Sequence, residues 1–307
     1  MSGMAAIPAL AKKKHDYENG AGYLFILPWI IGFLAFTCIP FMFLIYFSFT
    51  KYDLLSSPRW IGLQNYIHIF THDPKFLTSL KVTFQYVITA IPLRLAVALL
   101  IAMLLNTRNK GIGMYRTVFY IPSIIGGSVA VAVMWIQLFA RDGAVNAIVE
   151  IVTGVNPDVS WIVNPDTAMW SLVLLAVWQF GSPMVIFLAG LKNIPESYYE
   201  AAMMDGANAF RRFMKITLPL LSPVMFFNLV MQIINGFMTF TQGLIITGGG
   251  PLDKTLFYQL YVYRRGFEFF EMGYAAALSC IMLVIVGVAT AIVFRTSSRW
   301  VYYEAKE

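Results

Sequence analysis

Glu200-Ala-Ala-Met-Met-Asp-Gly-Ala-Asn-Ala-Phe-Arg-Arg-Phe-Met-Lys-Ile-Thr-Leu-Pro219 interrupts two long apolar runs with charges of both signs, and the rest of the chain is organised on either side of it. Glu196 to Met204 holds good helix formers behind Pro195, a residue suited to a first helical turn. Asp205-Gly206 then supplies a pair that tolerates a tight or left-handed turn. Asn208 is placed to cap a second piece, Ala209 to Thr217, which sets Arg211, Arg212 and Lys215 beside Phe210, Phe213 and Ile216. An apolar face with a cationic border suits docking against another protein. The alternative is a plain connecting loop whose basic residues set membrane orientation.

The flanking runs fix the class. With 307 residues, 59% hydrophobic side chains and 12% charged ones, the composition excludes an ordinary soluble domain and implies an integral membrane protein. The net charge of +6 does not indicate nucleic acid, because the basic residues sit beside apolar spans and form no stripe interleaved with exposed aromatics. Cys38 and Cys280 lie inside apolar runs and read as small core hydrophobes, not as a disulfide. The first run is too long for a signal-peptide core and lacks a small-residue cleavage site, so no cleavable leader is expected.

Six runs reach the roughly 20 residues that cross a bilayer: about 23–48, 80–105, 115–140, 167–190, 218–240 and 272–294. The expected fold is an all-α membrane protein with six transmembrane helices. With the N-terminus inside, thirteen Lys and Arg fall on the inner side and eight on the outer, which predicts both termini in the cytoplasm. The expected layout is a cytoplasmic tail over 1–22, carrying Lys12, Lys13 and Lys14, a six-span membrane domain over 23–294, and a cytoplasmic tail over 295–307. Segments 49–79, 141–166 and 241–271 are then external, and the loop 191–217 is cytoplasmic. Trp60 to Phe70 mixes aromatic, apolar and polar groups as an interfacial helix lying along the membrane would.

Within the fifth run Asn228, Gln232, Asn235 and Thr239 recur at helical spacing, a polar stripe at lipid depth. Amides in hydrocarbon need hydrogen-bond partners, so the stripe faces another helix as glue or a water-filled passage. Neutral donors and acceptors suit hydroxyl-rich solutes whose rings also stack on aromatics. Trp178, Gln179 and Ser182 offer a second set beside Gly181 and Pro183, where a kink is expected. Arg94, two residues after Pro92, is expected to snorkel towards an interface in preference to the alternative, a contact with the solute.

Gly248-Gly-Gly-Pro-Leu-Asp-Lys254-Thr255 fails as a phosphate loop, since Asp253 stands where glycine is needed and Pro251 lacks a donor; a stiff outer turn leading into Phe257 to Tyr263 is expected. His68 and His72 share a helix face without a third convergent ligand, so no metal site is expected. No nucleophile, acid or base constellation appears, and the chain is not expected to be an enzyme.

Taken with Pro223, the opening stretch has the pattern Glu200-Ala-Ala-x-x-Asp205-Gly206-Ala207, Phe213, Ile216 and Leu218-Pro219, which resembles the EAA loop of ABC importer permeases. Trp60-Ile-Gly-Leu-Gln-Asn-Tyr66, Arg116-Thr-Val-Phe-Tyr-Ile-Pro122, Ala189-Gly-Leu-Lys-Asn-Ile-Pro195, Thr247-Gly-Gly-Gly-Pro251 and Gly273-Tyr-Ala-Ala-Ala277 extend the resemblance over nearly the whole chain. It is similar to the carbohydrate-uptake branch, the maltose-type and glycerol-3-phosphate-type permeases, and so implies the type I ABC importer fold in the bacterial cytoplasmic membrane. By that resemblance Glu200, Ala201, Ala202, Asp205, Gly206, Ala207, Phe213 and Pro219 form a coupling helix for a separate ATPase. The glutamate pairs there with a basic residue, and the glycine allows the turn. Sugar contacts are implied on Trp178, Gln179, Asn228, Gln232 and Asn235. The implied partners are a second homologous permease, two cytoplasmic ATPase subunits that hold the Mg-ATP, and an extracellular or periplasmic solute-binding protein, with no cofactor in this chain. A glycerol-3-phosphate-type or other polar solute is the alternative; it would want cationic groups in the passage, where Arg94 is the one available.

Overall fold

The computed structural model describes residues 23–107 and 109–302. The expected tail over 1–22, Arg108 and the end of the C-terminal tail lie outside the described residues. Four unbroken helices are long and apolar enough to cross a membrane: α1 (Tyr23–Ser48), α3 (Pro74–Leu105), α10 (Ala209–Phe237) and α12 (Met272–Ser297). The third and fourth apolar runs are each broken, into α4 (Ile112–Ile125) with α5 (Val129–Leu138) at 97°, and α7 (Ala168–Trp178) with α8 (Gly181–Lys192) at 42°. Counting each bent pair as one span gives six.

The breaks have local causes. Gly126-Gly127-Ser128 separates α4 from α5, and the Ser128 hydroxyl caps the new helix by accepting from the Val131 amide at 3.3 Å. The second break follows from Pro183: it has no N–H to give to the Gln179 carbonyl one turn earlier, so the helix opens there.

α3 is the central helix, packed against α4, α7, α8, α10 and the short α11 (Tyr258–Tyr263). Its start is at Pro74, six residues before the expected boundary, because Asp73 caps it and Pro74 occupies the first turn. Two apolar cores flank it. One gathers Val82, Leu172, Phe257, Tyr258 and Leu278; the other gathers Ala98, Ala102, Met184, Phe187 and Leu221 towards the C-terminal end of α3. α1 packs on α12 but leaves most of its apolar surface uncovered, with Phe25 86% and Phe36 84% exposed, as a lipid-facing helix does.

The segment after α1 departs from an all-helical reading. Thr50–Lys51 and Arg59–Trp60 form an antiparallel ribbon, β1 and β2, and a left-handed Gly62 precedes α2 (Gln64–His72). Residues 60–63 are therefore not part of the interfacial helix expected over 60–70. The Asn65 amide donates to the carbonyls of Ser48 at 2.9 Å and Thr50 at 3.0 Å, fastening α2 to the end of α1. His68 and His72 stack on one face of α2 with centroids 5.7 Å apart. The 141–166 segment contains an apolar helix, α6 (Ala144–Thr153). In the glycine-rich turn the buried Thr255 hydroxyl lies 2.7 Å from that of Thr247 and 2.6 Å from the Gly250 carbonyl, closing the loop ahead of α11.

Candidate functional site

The sequence-predicted site residues fall at or beside two places among the described residues. The first is the loop read at the outset. α9 (Glu196–Met204) ends where expected, and its terminus is a Schellman turn: the Ala207 amide donates to the Ala202 carbonyl at 2.9 Å and the Gly206 amide to that of Met203 at 3.0 Å. Gly206 sits at φ +74°, where a side chain would find open space but a strained backbone. Asn208 then caps the next helix by accepting from the Arg211 amide at 2.8 Å. From there the chain runs as α10 through a widened turn at Phe213–Thr217, which accommodates Pro219.

The surface of this loop is open and mixed. Glu200, Ala201, Asp205 and Gly206 are exposed, and beside them Met204 is 88% and Phe210 72% exposed. Ala202, Ala207, Phe213 and Pro219 are half-buried and hold the two helices together. A notch lined by Ala202, Asp205, Ala207, Arg211, Arg212 and Lys215 lies between them. The loop is anchored to its span by the Tyr199 hydroxyl, 3.0 Å from that of the buried Thr217.

The second place is a cavity of about 230 Å³ at the two helix breaks, lined by Tyr86, Arg94, Gln179, Asn235, Thr239 and Gln242 among others. The breaks free carbonyls at membrane depth, and side chains answer them. The Gln179 carbonyl, orphaned by Pro183, accepts from Arg94 Nε at 3.0 Å and Nη2 at 2.5 Å, and from the Ser123 hydroxyl at 2.8 Å. The Gly126 carbonyl at the other break accepts from Gln179 Nε2 at 3.2 Å and Gln242 Nε2 at 3.3 Å. Glycine is needed at 126, since a Cβ there would lie 2.4 Å from the Gln179 side chain. Aromatic and apolar side chains share the lining with these polar groups: Tyr86 meets Phe257 edge-to-face at 5.0 Å, with Phe240, Leu172 and Leu175 alongside.

Of the sequence-derived pathway residues, Gln179 and Asn235 line this cavity, and Gln232 lines an adjoining pocket of about 50 Å³ with Asn235 and Thr239. Asn228 lies deeper between helices, fully buried, its amide donating to the Pro183 carbonyl at 3.3 Å. Trp178 turns its ring into the core, 6.0 Å from Trp135. Tyr86 and Gln242 join the cavity without having been read from the sequence. Arg94 corrects an expectation: it does not snorkel to an interface, because the carbonyl freed by Pro183 holds its guanidinium at the break.

Outside the spans, Asp73 joins three helices. Its Oδ1 accepts from the Lys75 and Phe76 amides at 3.0 and 3.2 Å, and its Oδ2 accepts from the hydroxyls of Tyr261 and, at 2.5 Å, Tyr274. Arg265 lies 3.8 Å from the same carboxylate and 2.9 Å from Glu271. Burial pushes the Asp73 carboxyl up, but the Tyr261, Tyr274 and Phe76 hydrogen bonds and the Arg265 charge outweigh it and hold the group below its ordinary value. Burial and the bond to Asp73 push the Tyr261 phenol up, so it remains a donor.

The family model described as "Binding-protein-dependent transport system inner membrane component" matches residues 7–302. The chain is 56% identical to the "Probable ABC transporter permease protein YesP" of Bacillus subtilis (strain 168), covering 100% of each. It is 32% identical to the "Probable starch degradation products transport system permease protein AmyD" of Thermoanaerobacterium thermosulfurigenes, covering 94% of this chain and 99% of the relative. Its fold is similar to that of a chain in the crystal structure of a bacterial ABC transporter involved in import of the acidic polysaccharide alginate, with a TM-score of 0.80, 21% identity and coverage of 94% and 99%.

Proposed function

Because the chain belongs to the family of binding-protein-dependent transport system inner membrane components, the membrane permeases of ABC transporters, we propose that it carries a sugar or oligosaccharide into a bacterial cell. The observation that carries the solute class is the cavity: amides of Gln179, Asn235 and Gln242 and the hydroxyl of Thr239 set among the rings of Tyr86, Phe240 and Phe257. Such a lining exchanges hydrogen bonds with hydroxyls while aromatic faces take the apolar side of a pyranose. The starch-product permease among its relatives supports the same class.

In this reading the six spans of residues 23–294 place both termini in the cytoplasm, and the loop 191–217 docks on a separate ATPase. Two ATPase copies hold the Mg-ATP, a second homologous permease completes the passage, and an external binding protein delivers the solute. Glu200, Asp205 and Gly206 present the docking surface with Ala201, Ala202 and Ala207, while Phe213 and Pro219 seat it on α10. The same helix runs on to Gln232 and Asn235 at the cavity, and its 29 residues make it about 43 Å long. A push on the docking end therefore tilts the wall of the passage, a rigid lever on a bistable bundle. Asn228 and Trp178 serve that wall from behind.

The deciding experiment is ATP hydrolysis by the complex assembled in lipid discs with its binding protein and a panel of mono- and oligosaccharides. Stimulation by one saccharide class is expected; indifference to all of them with a response to another solute would overturn the sugar reading. For the layout, a reporter fused after Arg212 is expected to report cytoplasm, and an external signal there would refute the six-span arrangement.

A further inference from the structure

We propose that the solute carries a carboxylate, as a uronic-acid-containing saccharide does, and that Arg94 is the residue that selects it; this rests on the saccharide reading above. The cavity lining contains Arg94 and Tyr86 as its titratable side chains and no Asp or Glu. Two of the five guanidinium N–H groups are spent on the Gln179 carbonyl, and among the described residues no ion pair forms with Arg94. A cation held at membrane depth by one carbonyl dipole is incompletely compensated, and the cavity is where its counter-charge enters.

The geometry favours a carboxylate on a sugar over other anions. The planar guanidinium matches a carboxylate in a bidentate pair. The amides of Gln179 and Asn235, the Thr239 hydroxyl and the Tyr86 ring surround it with partners for ring hydroxyls and a ring face. A phosphate ester with two charges would call for further cations, and the lining holds none besides Arg94. Arg94 also supports the helix break, so its replacement has to separate charge from structure. Lys retains the charge, and Gln retains a donor for the Gln179 carbonyl.

The test is equilibrium binding to the assembled complex in lipid discs, without the binding protein, using a mannuronate trimer, maltotriose and glycerol 3-phosphate as probes. The mannuronate trimer is expected to bind roughly tenfold or more tighter than maltotriose. Arg94→Gln is expected to remove that preference, and Arg94→Lys to retain most of it. Equal binding of the two trimers, tighter binding of glycerol 3-phosphate, or an Arg94→Gln variant that weakens both trimers alike would overturn the proposal. Tight maltotriose binding with none of the acidic trimer refutes the carboxylate and leaves the sugar reading standing. Binding of neither trimer defeats both.

Discussion

Glu200→Ala is expected to abolish solute-stimulated ATP hydrolysis and uptake while the permease still inserts and accumulates in the membrane. The side chain is exposed, so the folded subunit tolerates its loss. In the proposed complex the carboxylate becomes buried against a basic residue of the ATPase, and truncating one member of such a pair costs about 2–5 kcal/mol. That is a loss of about thirtyfold or more in productive docking. Gly206→Pro reaches the same end by backbone. Proline fixes φ near −65° and has no N–H, whereas position 206 sits at φ +74° and donates to the Met203 carbonyl. The Schellman turn then cannot close, and Glu200 and Asp205 lose their fixed relation to α10. Hydrolysis assays, with co-purification of the ATPase as a second readout, check both variants. Normal stimulation in both would remove this loop from the coupling path.

How legible these features were depends on where their partners lie. The conformation of the loop after α9 was readable because its determinants are local: Pro195, the Asp205-Gly206 turn and the Asn208 cap sit within a few residues of what they shape. The break at Gly126 was not read, since three small residues inside an apolar run leave hydropathy unchanged, although a glycine pair followed by a capping serine is a helix-end signal. Arg94 was misjudged for a different reason. Its partner is a backbone carbonyl 85 positions away, and a carbonyl has no letter in the sequence. The chain did offer one indirect sign, because Pro183 must leave the Gln179 carbonyl without a helical donor. The polar stripe is periodic over Asn228, Gln232 and Asn235, but α10 ends at Phe237, so Thr239 lies beyond the helix and not on its face as expected. Period alone also does not say how deep each amide lies. Asn228 and Gln232 end up buried, Gln232 against a small pocket, while Asn235 is exposed and lines the cavity.

Asp73→Ala is expected to cause a large loss of stability, about 3–5 kcal/mol as for other broken buried charge networks. One carboxylate closes the start of the central helix α3 and receives the hydroxyls of Tyr261 and Tyr274 from two other segments, so its removal leaves several donors unanswered at once. Arg265 retains Glu271 and remains partly compensated. The loss should therefore appear as separation of the α11 and α12 ends from α3 rather than as global expulsion of a charge. Asp73→Asn keeps an acceptor for the cap and should fall between wild type and Ala. The sign of the pH dependence follows from a carboxyl whose value is lowered on folding. Its stabilisation is fully present above the ordinary carboxyl value of 3.8 and is lost as pH falls through the lower folded value. Heating purified protein and measuring the surviving folded fraction should show a wide gap between wild type and Asp73→Ala at neutral pH that narrows only in strong acid. Melting of the two proteins at the same temperature at neutral pH would mean that the helix ends are held by packing alone.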